Sequence, residues 1–250
     1  MYEGAGKKLT TFIVLYMVFI AVIPISNDVG GEVIIVDGGG GGDFLTIQEA
    51  VDNAVPGDEV LVKDGTYEES VVIDKNLSVK GESISSIITS PNGIAVEVTE
   101  GGVELSNLTI QDSSMGISVK NSSVTIKNCS FSGCDRGIFL YRCDRTEITG
   151  CSMNEGTEAI MGQEDGGTTI KRTDSDSTLE NGIRLVGSSN VRIENCSIRN
   201  AGYHPVYLSR NDGTGMFDCG LSLNERGVYL YRSKNVSIAD NSLSRGIGLE

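Results

Sequence analysis

A short apolar motif returns about every twenty-two residues, and that spacing leaves little freedom for the fold. It reads GIAV from Gly93, GISV from Gly116, GIFL from Gly137, AIMG from Ala159, GIRL from Gly182, PVYL from Pro205, GVYL from Gly227 and GIGL from Gly246. The steps are 23, 21, 22, 23, 23, 22 and 19 residues. Each unit carries two further short alternations, such as VRI at 191–193 and CSI at 196–198. Period-two alternation over so few residues specifies strands, and no unit holds an uninterrupted helical stripe. One unit cannot bury its own apolar side, so neighbours must stack to complete the core, strand on strand at about 4.8 Å. About nine such coils make a rod near 43 Å long. A β-sandwich is the alternative, and the tight register argues against it.

The same register separates inside from outside. Inward in the first strand are Ile117 and Val119, Ile138 and Leu140, Ile183 and Leu185, Val206 and Leu208, Val228 and Leu230. In the second strand they are Val124 and Ile126, Val191 and Ile193, Val236 and Ile238. A third inward column reads Leu108, Cys129, Cys151, Thr173, Cys196, Cys219 and Asn241. Adjacent coils bring these cysteines within disulfide reach, but side chains lying parallel in a ladder have poor bridging torsion, which favours free buried thiols. Cys134 and Cys143 fall in turns and form a further candidate pair. With one His and no CxxC, a metal site is not expected.

Composition narrows the partners. The chain of 250 residues carries a net charge of −14, with 32 Gly. That balance disfavours nucleic acid, and no basic cluster opposes it. Lys7 and Lys8 precede LTTFIVLYMVFIAVIPIS at 9–26, which reads as a signal peptide or a membrane anchor, without an evident A-x-A cleavage site. The expected location is extracellular or at the cell surface, with anchoring by residues 1–26 as an option. Six sequons, at Asn76, Asn107, Asn121, Asn128, Asn195 and Asn235, fall mostly where the repeat needs turn residues.

Residues 32–92 differ from the repeats at 93–250. Thr46 and Glu49 form a capping box for a short helix with Ile47, Ala50, Val51 and Ala54 on its apolar face, ended by Pro56-Gly57-Asp58. The glycine run at 38–42 lacks the lysine and spacing of a phosphate loop, so this segment reads as a cap on the stack's exposed end.

The stretch GGDFLTIQEAVDNAVPGDEVLVKDGTYEE, followed by VVIDKNLSVKGES, resembles the opening of pectin methylesterases and other pectin-lyase-like proteins. The later units resemble the repeats of NosD-like carbohydrate-binding and sugar-hydrolase domains. The resemblance implies an all-β fold: a right-handed single-stranded parallel β-helix with a short N-terminal capping helix. The esterase motifs QDT, DFIFG and GRPW, and the polygalacturonase motifs NTD and GHG, are not found. The resemblance therefore carries the fold and not an activity.

Two strips carry possible chemistry. Outward positions of the first strand hold Phe139, Tyr141, Tyr207, Tyr229 and Tyr231 with Arg184, and Arg142, Arg210 and Arg232 adjoin them. Rings beside guanidinium groups suit stacking on sugar faces and bonding to hydroxyls or carboxylates. Exposed strand sites also favour Tyr for its propensity alone. Glu158, Glu180 and Glu225, with His204, lie near the start of the same strand and supply candidate acid–base groups. The expected function is polysaccharide or glycan binding. The alternatives are a lyase or glycoside hydrolase acting on acidic polysaccharide, where a lyase brings in calcium, and a structural envelope repeat. No other cofactor is expected. RGIGLE at the C-terminus opens a new coil, which calls for further coils or another chain against that end.

Overall fold

The computed structural model describes residues 31–249; the apolar segment at 9–26 lies outside the described residues. The chain winds as an all-β parallel solenoid with three strands per coil. One face is a ten-stranded sheet running from Val33–Val36 to Ser237–Ala239, each strand hydrogen-bonded to its equivalent one coil on. Nine intervals of about 4.8 Å give the expected length near 43 Å. The face that matters below, called the first face, contains Ile94–Val98, Met115–Lys120, Arg136–Tyr141, Val206–Ser209 and Val228–Tyr231. Between them lie the second halves of two long strands, Ser152–Gln163 and Asp174–Val186. These two pass from the third face to the first without a turn. Their pairing slips by one residue between Gly156 and Glu158.

The core follows the alternation. Ile117, Ile138, Ile183 and Val206 stack in register, as do Val119, Leu140, Leu185 and Leu208, and all are at most 2% exposed. Each buried aliphatic chain contributes about 25 cal/mol per Å² removed from water. The column has one gap: Gly162 stands where its neighbours carry leucine.

At the N-terminal end, helix Ile47–Asn53 packs on the first coils with Ile47, Ala50 and Val51 buried. Thr46 accepts the Glu49 amide at 3.3 Å, and the Glu69 carboxylate takes the Ile47 and Gln48 amides at 2.8 and 3.0 Å. The cap is therefore completed by an acid from a neighbouring coil rather than by Glu49. The glycine run turns around Asp37, whose carboxylate accepts the Gly39 and Gly41 amides at 2.7 and 3.2 Å.

The corners explain two recurring residues. After the second strand the chain turns through a left-handed residue in coil after coil: Asn107, Asn128, Gly150, Arg172, Asn195, Asp218 and Asp240, with φ between 48° and 66°. Asn tolerates that conformation better than most residues, so these sequon asparagines serve the turn. At five of these corners the residue that follows points inward and donates to a carbonyl one coil back, whereas Leu108 has no donor and Thr173 donates to Lys171. Cys129 Sγ reaches the Leu105 carbonyl at 3.8 Å, Cys151 that of Ile126 at 3.8 Å, Cys196 that of Ile170 at 3.6 Å and Cys219 that of Ile193 at 3.8 Å. Asn241 does the same to Met216 at 3.0 Å and also accepts the Cys219 amide at 2.8 Å. Cys143, Asn211 and Ser233 fill the equivalent slot at the next corner, and Cys134 and Asn224 fill the third. All six cysteines are free and buried. Cys134 and Cys143 lie at opposite ends of the six-residue strand Arg136–Tyr141. They are some 20 Å apart along it and cannot bridge, contrary to the sequence-based pairing.

Candidate binding cleft on the first face

The outward column of the first face reads Glu97, Ser118, Phe139, Met161, Arg184, Tyr207 and Tyr229, each paired with the next. The neighbouring outward column reads Lys120, Tyr141, Gln163, Val186, Ser209 and Tyr231. Six of the nine expected sugar-binding residues, Phe139, Tyr141, Arg184, Tyr207, Tyr229 and Tyr231, stand in these two columns, but the aromatic groups do not form one stripe. Met161 is 7% exposed and separates Phe139 from Arg184. Phe139 stands three coils, about 14 Å, from Tyr207. Tyr141 and Arg142 accompany Phe139, with the Arg142 guanidinium 4.9 Å from the Tyr141 ring centre and 2.7 Å from Glu164. Arg210 and Arg232 occupy the left-handed corner beyond the strand, with φ of 58° and 49°. Arg232 lies 5.0 Å from the Tyr231 ring centre.

The structure gathers a tighter group around Arg184 and Tyr207. They line a cleft of about 320 Å³ together with Leu179, Glu180, Asn181 and Tyr203. The cleft opens beside the long strand Asp174–Val186, where the extra residue in the pairing widens the corner and leaves Leu179 74% exposed. The Arg184 guanidinium lies 5.6 Å from the Tyr207 ring centre, and Tyr207 stacks on Tyr229 at 5.1 Å. On the other rim Arg226 covers the Tyr203 ring at 3.9 Å. Sequence reasoning missed Leu179, Asn181 and Tyr203. The 23-residue step from Ala159 to Gly182 carries the extra residue, but the steps from Gly93 and from Gly182 have the same length, so spacing alone does not single out this coil.

The acidic candidates do not sit together. Glu158 is 4% exposed and lies in a column with Arg136 and Asn181. Its two oxygens are 3.6 Å from Arg136 Nε and 3.6 Å from Arg184 Nε, and Asn181 Nδ2 donates to it at 3.3 Å. Glu180 and Glu225 are exposed and stand on either side of the coil of Tyr203, which bonds to both coils through backbone amides. Two coils separate them by about 10 Å. His204 is 6% exposed, its ring stacked 5.0 Å from Tyr229 and edge-on to Tyr203 at 4.7 Å. Its Nδ1–H donates to the Gly227 carbonyl at 2.9 Å, which in the neutral ring leaves the lone pair on Nε2. Burial, aided by the Arg226 charge, moves its pKa below the ordinary histidine value. Among the described residues, no group of three His, Cys, Asp or Glu side chains is placed to hold a metal ion.

Comparison with solved structures finds the same fold. A rhamnogalacturonan lyase superposes with a TM-score of 0.64 at 13% identity, covering 82% of this chain and 71% of its own. The pectin methylesterase of Aspergillus niger gives 0.59 at 18% identity, covering 85% of each chain. An alginate lyase of Paenibacillus gives 0.51 at 12% identity, covering 81% of this chain and 96% of its own. No curated protein matches the chain by sequence. A family profile described as right handed beta helix region matches residues 92–243, more than half of the chain. The protein belongs to that right-handed β-helix family.

Proposed function

We propose that this protein binds polysaccharide on its first face, in the cleft between Arg184 and Tyr203. The observation that carries the reading is the stack of Arg184 on Tyr207 and Tyr207 on Tyr229 at the wall of that cleft. Aromatic rings held rigid by their neighbours offer a sugar a fixed apolar surface at low entropic cost, Tyr207 by the edge left open between Arg184 and Tyr229, while Asn181 and Arg184 supply hydrogen-bonding groups. The solved neighbours named for action on rhamnogalacturonan, pectin and alginate lend support, since they share this scaffold. The apolar segment at 9–26 supports export, and so an extracellular or surface location with the segment as leader or anchor.

His204 favours a second reading, a lyase or hydrolase acting on acidic polysaccharide. A neutral imidazole whose Nε2 is unprotonated is the form that takes up a proton. Calcium enters only in that reading, as neutraliser of a uronate carboxylate. A screen of soluble polysaccharides for both binding and depolymerisation, with and without calcium, separates the two. Retention without product supports the binding protein, product release supports the enzyme, and neither result rejects both.

A further inference from the structure

We infer that the cleft selects neutral glycans over uronate polymers, an inference that rests on the carbohydrate-binding reading of the same site. The cation that lines the cleft, Arg184, is already matched by a fixed anion. Among the lining residues the charges are Glu180 and Arg184, which cancel. Directly behind Arg184, the buried Glu158 carboxylate sits 3.6 Å from its Nε and is shared with Arg136. For Arg184 to turn to a sugar carboxylate, Glu158 would lose one of its two guanidinium partners while 4% exposed. Breaking a buried pair in that way is costly. Arg226 at the far rim stands over the Tyr203 ring, 3.9 Å from its centre. Glu180 remains exposed at the entrance, and a chain of net charge −14 repels a polyanion before contact.

What remains for recognition is uncharged. Leu179, Tyr203 and Tyr207 present apolar surface, and Asn181 is an amide. Asn181 is 5% exposed, and its Oδ1 has no hydrogen-bond partner. That oxygen, itself sealed from solvent, leaves the negative end of the amide dipole at the wall of the cleft, which disfavours a carboxylate there and not a hydroxyl. Arg184 keeps N–H donors for hydroxyl oxygens without giving up Glu158. Arg210 and Arg232 stand at the opposite corner, three residues beyond Tyr207 and Tyr229 and about 10 Å away.

Affinity electrophoresis in gels containing a soluble β-glucan, a galactomannan, polygalacturonate or alginate tests this directly, run with wild type, Tyr207→Ala and Glu180→Gln. The expected result is retardation by at least one neutral polymer, at least tenfold weaker for Tyr207→Ala and insensitive to salt between about 50 and about 500 mM. Uronate affinity is expected to be at least tenfold weaker than the neutral one and to rise several-fold in Glu180→Gln. Tighter, salt-sensitive retention by polygalacturonate or alginate overturns the selectivity and leaves carbohydrate binding standing. Retardation by none of the four polymers overturns both.

Discussion

Asp165 accepts the Cys143 amide at 2.9 Å through one carboxylate oxygen and leaves the other buried without a partner. It fills the corner slot that Cys143, Asn211 and Ser233 fill in other coils, where each donates to a carbonyl one coil back. An ionised carboxylate cannot donate. Gly162 makes room for it, since a Cβ there would collide with Asp165 Oδ2. Burial raises the Asp165 pKa from 3.8 to about 7, with Asp144 and Glu164 adding to the rise and the Cys143 amide opposing it.

The folded state therefore holds this proton more tightly than the unfolded chain. Its contribution to stability is full below about pH 4, declines as pH rises towards 7, and is lost above. Asp165→Asn supplies a permanent donor to the same slot. Urea unfolding across pH should show the variant matching wild type near pH 4 and exceeding it at pH 8, by on the order of 3 kcal/mol. Equal pH dependence in the two proteins would contradict the assignment.

The cysteines are structural donors, so they should resist chemistry in the folded protein. Burial raises the pKa of Cys134 and Cys143 to about 11. A thiol reagent at neutral pH should find none of the six reactive natively and all six after denaturation without reductant. Fewer than six in the denatured protein would reveal bridges. Replacing Cys219 by Asn, as Asn241 stands one coil on, should cost little, whereas Cys219→Ala loses a corner donor and should cost about 1 kcal/mol.

Glu158 holds Arg184 at the cleft wall. Glu158→Gln keeps the side-chain volume and removes both ion pairs. Thermal unfolding should register a loss of about 1–2 kcal/mol, because Arg136 and Arg184 are part-exposed and recover some hydration. Glycan affinity should fall several-fold as Arg184 leaves Tyr207. Unchanged affinity would mean that Arg184 is held by its stack alone.

The repeat made most of the solenoid legible from the sequence. Inward columns such as Ile117, Ile138, Ile183 and Val206, and the outward column through Phe139, Arg184, Tyr207 and Tyr229, follow from period-two alternation once the coils are aligned. The site was only partly legible. Alternation says which side a residue faces but not what covers it, so the burial of Met161 and Glu158 and the resulting break in the aromatic strip were hidden. Leu179, Asn181 and Tyr203 sit at an irregular corner, where a one-residue slip in pairing decides their position. The cysteine column appeared as a run of small inward residues. That they are donors to corner carbonyls emerges only when the backbone is in place.

Isothermal titration of wild type and Tyr207→Ala with an oligosaccharide cut from whichever polymer the protein retains tests the central claim most directly. If Tyr207 is the apolar wall of the site, its removal should weaken binding at least tenfold, about 1.4 kcal/mol, with no change in unfolding free energy beyond about 1 kcal/mol. Equal affinity for the two proteins would place the sugar elsewhere on the solenoid and contradict the cleft.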